Sequence, residues 1–496
     1  MNFDQIFMTV LFVIFLGALI AGEFFFKNNE KYKKALNLTL KICACVMFGF
    51  FSLRTIMNDS FVWIINMDKI SHPYPLTPFP THDYLQSFLR WGYLVAILLI
   101  TTAAFYNSKT LRRFAVVISV VSIVLSIVYY NDYMKYFTSY DPLNNRVRGI
   151  LTPNGFRHFE FDVEIILMSA CSLILIFQEK TRLLMKKPMD FVKFFVFLPF
   201  LFIVAIPVYV PQSLVGYTSL QMTLFSPQHF IWLGGTVVLG LAIFFVFRDQ
   251  SMVVKKAVVC YLCLFLFQHY NSVFMWIIEA KRLPFQLCNF GCYFALIAFA
   301  FNRFPKMQKF FNFVFVINIS GALFAAIGFD LGDGLLCLTN VHYYLEHIYL
   351  FIIPYLMIAF GIYQLPGKNA FIHATIGFTA FFIVCVVAGL YFNIVMLDKP
   401  LANGKVFWTR CNYFYIFDEG DATKILPFLK FVRKWPVTAN NYTFHPLLMF
   451  AVYIGFLPFS FIVYVINKKI IMVGRDHSQL RERRHLLKQK EEDEIC

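Results

Sequence analysis

AFIHATIGFTAFFIVCVVAGLYFNI, residues 370–394, holds no Asp, Glu, Lys or Arg in 25 positions. A helix needs about 20 consecutive apolar residues to cross the hydrocarbon of a bilayer, so this stretch alone predicts a membrane span. Runs of the same kind lie at 8–26, 37–57, 87–106, 113–132, 160–178, 191–210, 229–247, 257–279, 285–302, 310–329, 342–364 and 445–467. The thirteen together predict an all-α fold, a polytopic transmembrane helix bundle. Composition agrees: of 496 residues, 59% are hydrophobic and only 15% charged, where a soluble domain sits near 45–50% apolar and 25% charged.

The net charge of +16 has a topogenic origin. With the N-terminus outside, the inner segments are 27–36, 107–113, 179–193, 248–256, 303–309, 365–369 and the tail 468–496. They carry 27 of the 44 Lys and Arg residues, and the short outer connections 211–228 and 330–341 carry none. Positive charge stays on the cytoplasmic side, so the N-terminus is expected outside, the C-terminus inside, and the protein in the cell membrane. No nucleic-acid partner is needed to account for the charge, and membrane lipids are the expected partners. The tail RDHSQLRERRHLLKQKEEDEIC (475–496) reads as a charged helix beside anionic headgroups.

Other chemistry is excluded by what the chain lacks. There is no GxxxxGK[ST] and no GxGxxG in a strand–helix setting, so no nucleotide site is expected. The 11 cysteines lie mostly inside apolar runs with no recurring spacing, so neither metal, cofactor nor disulfide framework is expected. The first apolar run is followed by Glu23 and Lys27 rather than by a small-residue cleavage site, and it reads as a retained span.

Two sets of six spans resemble one another in outline. Lys33-Lys34-Ala35 opens the second helix of one set and Lys255-Lys256-Ala257 that of the other. Pro78-Phe79 and Pro284-Phe285 precede the third helices. His158 through Glu164 and His342 through His347 open the fifth. The expected organisation is a degenerate duplication: a scaffold-like unit over 1–224, a second membrane unit over 225–467, and the tail 468–496. No cysteine occurs between residues 46 and 170, so the first half cannot carry a thiol where the second carries Cys288.

RLPFQLCNF (282–290) brings a thiol to the first turn of a span, where helix N–H groups favour a thiolate. His347 lies about one turn into another span entering from the same expected side. A Cys–His pair at matched depth is the arrangement of nucleophilic acyl transfer, so Cys288 and His347 are the candidate catalytic residues. Lys281 and Arg282 stand where a lipid phosphate would lie. Gln286 and Asn289 flank the thiol as candidate oxyanion donors, and His269 is a further polar candidate in a neighbouring span. Tyr343, Glu279 and Asn412 are candidates to orient His347.

FSPQHF (225–230), RLPFQLCNF, LEHIYL (345–350) and CNYFYIF (411–417) together resemble the YwaF family of bacterial integral membrane proteins, over about 225–467. Its most specific element is L-P-x-x-x-C at 283–288 with His347 following 59 residues later. The resemblance implies kinship with a eukaryotic multi-pass, cysteine-dependent phospholipid acyltransferase. It implies Cys288 as nucleophile and His347 as its histidine, and it marks Asn412 and Tyr413 as a further family element. Gln286 departs from the pattern, in which a histidine often precedes the cysteine by two residues.

Three functions compete. The first is a lipid acyltransferase of the outer leaflet. The second is a secondary transporter, for which two six-helix repeats are a common outline but few charges fall mid-span, His373, Asn318 and Asn393 being mild exceptions. The third is a non-catalytic scaffold using the long connection 395–444.

Overall fold

The computed structural model describes residues 3–57, 82–106, 108–134, 139–141, 146–148, 155–179, 188–215, 222–223, 225–272, 283–328, 335–336, 338–367, 369–396, 411–417, 431–432, 434–440 and 442–495. The helices in chain order are α1 Phe3–Phe26, α2 Glu30–Met57, α3 His82–Phe105, α4 Lys109–Val128, α5 Tyr130–Met134, α6 Gly155–Glu179, α7 Pro188–Ile203, α8 Tyr209–Val215, α9 Pro227–Phe247 and α10 Met252–Asn271. They continue as α11 Leu287–Ala300, α12 Met307–Gly328, α13 Leu338–Ala359, α14 Ala370–Leu390 and α15 Pro446–Ile495. A π-helical turn, Tyr391–Val395, extends α14, and a 3-10 turn spans Tyr413–Tyr415. Two short antiparallel ribbons pair β1 Ser139–Asp141 with β2 Arg146–Arg148 and β3 Val437–Ala439 with β4 Tyr442–Phe444.

Ten of the thirteen expected spans, those within α1 to α4, α9, α10 and α12 to α15, are long and apolar enough to cross a membrane. The other three are helical as well. α6 opens with Glu160, Asp162 and Glu164, α7 stops at Ile203, and α11 has 14 residues. At 1.5 Å per residue α11 reaches only about 21 Å, short of the roughly 30 Å of hydrocarbon. The charged tail continues the last span, for α15 is one helix of 50 residues. Of the expected run 257–279, α10 covers the part to Asn271, and 273–282 lie outside the described residues. Most of the connection 395–444 does too.

The chain divides into two compact units: residues 1–278 with 329–360, and residues 279–328 with 361–496. In the first, α3 is central. Val95 through Ile100 are all 0% exposed, the signature of a helix apolar all round and enclosed by neighbours. α2 packs on α6, α4 on both α3 and α6, and α13 on α9 and α10. Local sequence sets the start of α9: the Ser226 hydroxyl accepts from His229 N at 3.3 Å with Pro227 at the first helical position, both preferred there. In the second unit α12 is central and packs on α11, α14 and α15. Asn318 Nδ2 donates to Gly291 O at 3.3 Å, tying α12 to α11.

Candidate functional site

Cys288 and His347 fall in different units, and each is built by its own surroundings. Lys281, Arg282 and Glu279 lie outside the described residues.

In the second unit Gln286 caps α11 with extended backbone, φ −88° and ψ 149°. Cys288 is thus the second residue of the helix. It is half-buried, and its Sγ lies 3.3 Å from Asn289 Oδ1. The side chain of Gln286 is committed elsewhere. Its Nε2 donates to Asn412 O at 2.9 Å and its Oε1 accepts from Phe414 N at 2.8 Å. It clasps the CNYFYIF segment to the start of α11. Asn412 Oδ1 accepts from Phe417 N at 3.1 Å, and buried Tyr413 packs its ring on Phe285 at 4.9 Å.

The same segment is anchored from α14. Buried Asn393, in the π-helical turn, accepts from Cys411 N at 2.8 Å and donates to Cys411 O at 2.9 Å. A Cβ at Gly389 would collide with the ring of Phe417, so only glycine lets the segment lie this close. Phe414 takes the left-handed region, φ 52° and ψ 25°, a conformation costing roughly 1–3 kcal/mol that surrounding contacts must hold. Cys411 itself is inert: burial pushes its thiol up to about 12, despite a bond to Tyr413. Gln286, Asn412 and Tyr413 thus join the 411–417 segment to the start of α11, the turn that carries Cys288.

Gln286→Ala leaves two polar backbone groups without their partner, a loss of about 1–3 kcal/mol each when buried. Hydrogen exchange at the Phe414 amide is expected to accelerate by at least tenfold while that of α12 is unchanged.

In the first unit His347 sits inside α13 and is 3% exposed. Its Nδ1 faces Tyr343 O, four residues back, at 2.6 Å. A carbonyl only accepts, so Nδ1 carries the proton and Nε2 keeps the lone pair. Nε2 is buried with no hydrogen-bond partner among the described residues. The Tyr343 ring lies 4.2 Å away and fixes the imidazole plane. Tyr343 is thus the orienting residue, through its carbonyl and its ring.

His269, near the end of α10, stacks on His342 of α13, with ring centres 4.4 Å apart and planes 13° off parallel. His269 Nε2 donates to His342 O at 3.0 Å, and His342 Nε2 donates to His269 O at 3.2 Å. The reciprocal bonds staple α10 to α13.

Sequence reasoning missed the neighbouring charge cluster. Arg54 Nε and Nη2 donate to the two oxygens of Glu164 at 2.7 and 2.8 Å, and Tyr93 Oη donates to Glu164 Oε2 at 3.0 Å. The guanidinium is enclosed by the rings of Phe51, Phe161 and Tyr93. Arg90, Arg112 and Glu160 are buried as well. The signal was present in Arg54, inside the run 37–57, and Glu164, inside 160–178. Opposite charges in two spans are costly singly and call for each other.

These features define a polytopic α-helical membrane protein with polar clusters in both of its units. Residues 224–464, just under half of the chain, match the TMEM164 family. Neither the curated proteins nor the solved structures gave a match.

Proposed function

We propose that the protein is an acyltransferase acting on membrane lipids, with Cys288 as nucleophile and His347 as general base. Cys288 is the observation that carries this reading. Of nine described cysteines seven are buried, and the exposed one, Cys45, is mid-helix in α2. Cys288 alone joins partial access to a position in the first turn of a helix, where the backbone N–H groups stabilise a thiolate. With its proton on Nδ1, His347 keeps the lone pair on Nε2, the tautomer a base requires. The resemblance to a cysteine-dependent phospholipid acyltransferase supports the same roles.

The Cys288 proton is taken up by the base, the role the resemblance gives to His347, and the sulfur attacks a lipid ester carbonyl. The carbon–oxygen bond breaks, and the lyso product leaves as an alcohol with the proton from the imidazolium. An acyl thioester remains. A second lipid hydroxyl attacks it, its proton returns through His347 to the sulfur, and a new ester forms. Asn289 donates its Nδ2 to the developing oxyanion, and Lys281 and Arg282 engage the lipid phosphate. The site faces the outer leaflet of the cell membrane.

The test is transfer of a labelled acyl chain from phospholipid to lysophospholipid by the purified protein in liposomes. His347→Gln is expected to lower the rate by about 10²–10⁴-fold, the scale of general-base loss, with little change in lipid KM. A rate within threefold of the parent would remove His347 from the mechanism. The buried Arg54–Glu164 pair favours a second reading, solute transport, since intramembrane charge usually marks a pathway. Gradient-driven uptake into vesicles that survives Cys288→Ala would support it.

A further inference from the structure

The charge cluster of the first unit opens onto a cavity of about 60 Å³. Its polar lining includes Arg54, Arg90, Gln268, His269 and Ser272, and no Asp or Glu is among the described lining residues. Glu164, which holds Arg54, stands behind the wall. We propose that this cavity binds a small tetrahedral oxyanion of the phosphate class.

Three observations carry the proposal. Two arginines on different helices, Arg54 of α2 and Arg90 of α3, line one small space; Arg54 commits its Nε–Nη2 fork to Glu164, so the charge of a phosphate is met chiefly by Arg90. Both are fixed before any ligand arrives: Arg54 by Glu164, and Arg90 by donating Nη2 to Tyr133 O at 3.1 Å. The second observation is Gln268 of α10. Its Oε1 accepts from the Ser52 hydroxyl at 2.9 Å, which leaves its amide N–H₂ as a donor for a ligand. The three side chains are 2%, 7% and 4% exposed, so a ligand here would meet donors in a site shielded from solvent, where hydrogen bonds to charged groups are strong.

Size is the third. One water needs about 10–15 Å³ of such volume, so the cavity holds roughly four to six waters. That is room for the four oxygens of one tetrahedral anion. Arg54, Arg90 and Tyr133 lie outside the family match and Gln268, His269 and Ser272 inside it, so the cavity draws on both parts of the chain. The anion is either free phosphate or the phosphate of a lipid headgroup.

The full-length protein is purified in phospholipid-free detergent and titrated with inorganic phosphate in chloride buffer, by calorimetry and by the shift in melting temperature. Saturable binding is expected, weakened at least tenfold in Arg90→Gln and in Gln268→Glu, which is isosteric and places a carboxylate on the wall. In a second arm the protein is placed in nanodiscs of phosphatidylglycerol. Phosphate binding lost there identifies the lipid headgroup as the ligand, and binding retained identifies free phosphate. The proposal is overturned if the parent binds phosphate no better than both variants, or binds none in detergent. Cys288→Ala is expected to bind phosphate normally, so failure of the acyl-transfer reading leaves this result standing.

Discussion

Cys288→Ala abolishes acyl transfer between phospholipids, with a loss on the order of 10³-fold or more, the scale on which removal of a covalent nucleophile shows. Cys288→Ser loses nearly as much, because a serine hydroxyl is far weaker than a thiolate without a base tuned to it. Neither change disturbs the fold. Cys288 is half-buried, and Gln286, Asn393 and Asn318 hold the elements around it. The control is Cys45→Ala, which removes an exposed thiol from α2 and leaves the rate unchanged. The measurement is the initial rate of labelled acyl transfer in liposomes at matched protein and matched melting temperature. A Cys288→Ala rate equal to that of the parent would withdraw the enzyme reading.

The second large effect is on stability. Glu164→Gln removes one charge from the buried pair and strands the Arg54 guanidinium among Phe51, Phe161 and Tyr93. Breaking a buried pair from one side costs about 3–5 kcal/mol, because the remaining charge has no compensation, whereas apolar residues of similar volume at both positions are often tolerated. Arg54→Met/Glu164→Met is therefore expected to recover most of what Glu164→Gln loses. Denaturant titration in detergent micelles reads the difference. Equal destabilisation by the single and double variants would mean that the pair is not the unit that matters. The double variant also removes a wall residue of the phosphate cavity, so stability and anion binding separate in one protein.

The fold class was legible because hydrocarbon imposes a length rule on each span separately, and runs such as 370–394 satisfy it without reference to any neighbour. Pairing between spans follows no such rule. The segment 329–360 leaves its sequence neighbours and joins the unit built from the first 278 residues, a choice made by side-chain fit along α9, α10 and α13. For the same reason Arg54 and Glu164, 110 positions apart, read singly as charges near helix ends and only together as a bond. Cys288 was legible as a site candidate from its place after Pro284 at a helix start. The role of Gln286 was not, since its partners Asn412 and Phe414 lie more than 120 positions away across a connection with no periodicity to read.

The most direct test of the central claim is the covalent intermediate itself. The parent protein, incubated with phospholipid and no acceptor, quenched in acid and measured as an intact mass, is predicted to gain one acyl group. Hydroxylamine at neutral pH should remove that group, and peptide mapping should place it on Cys288. Full acyl transfer with no such adduct at any time, or an adduct that persists in Cys288→Ala, would contradict the account.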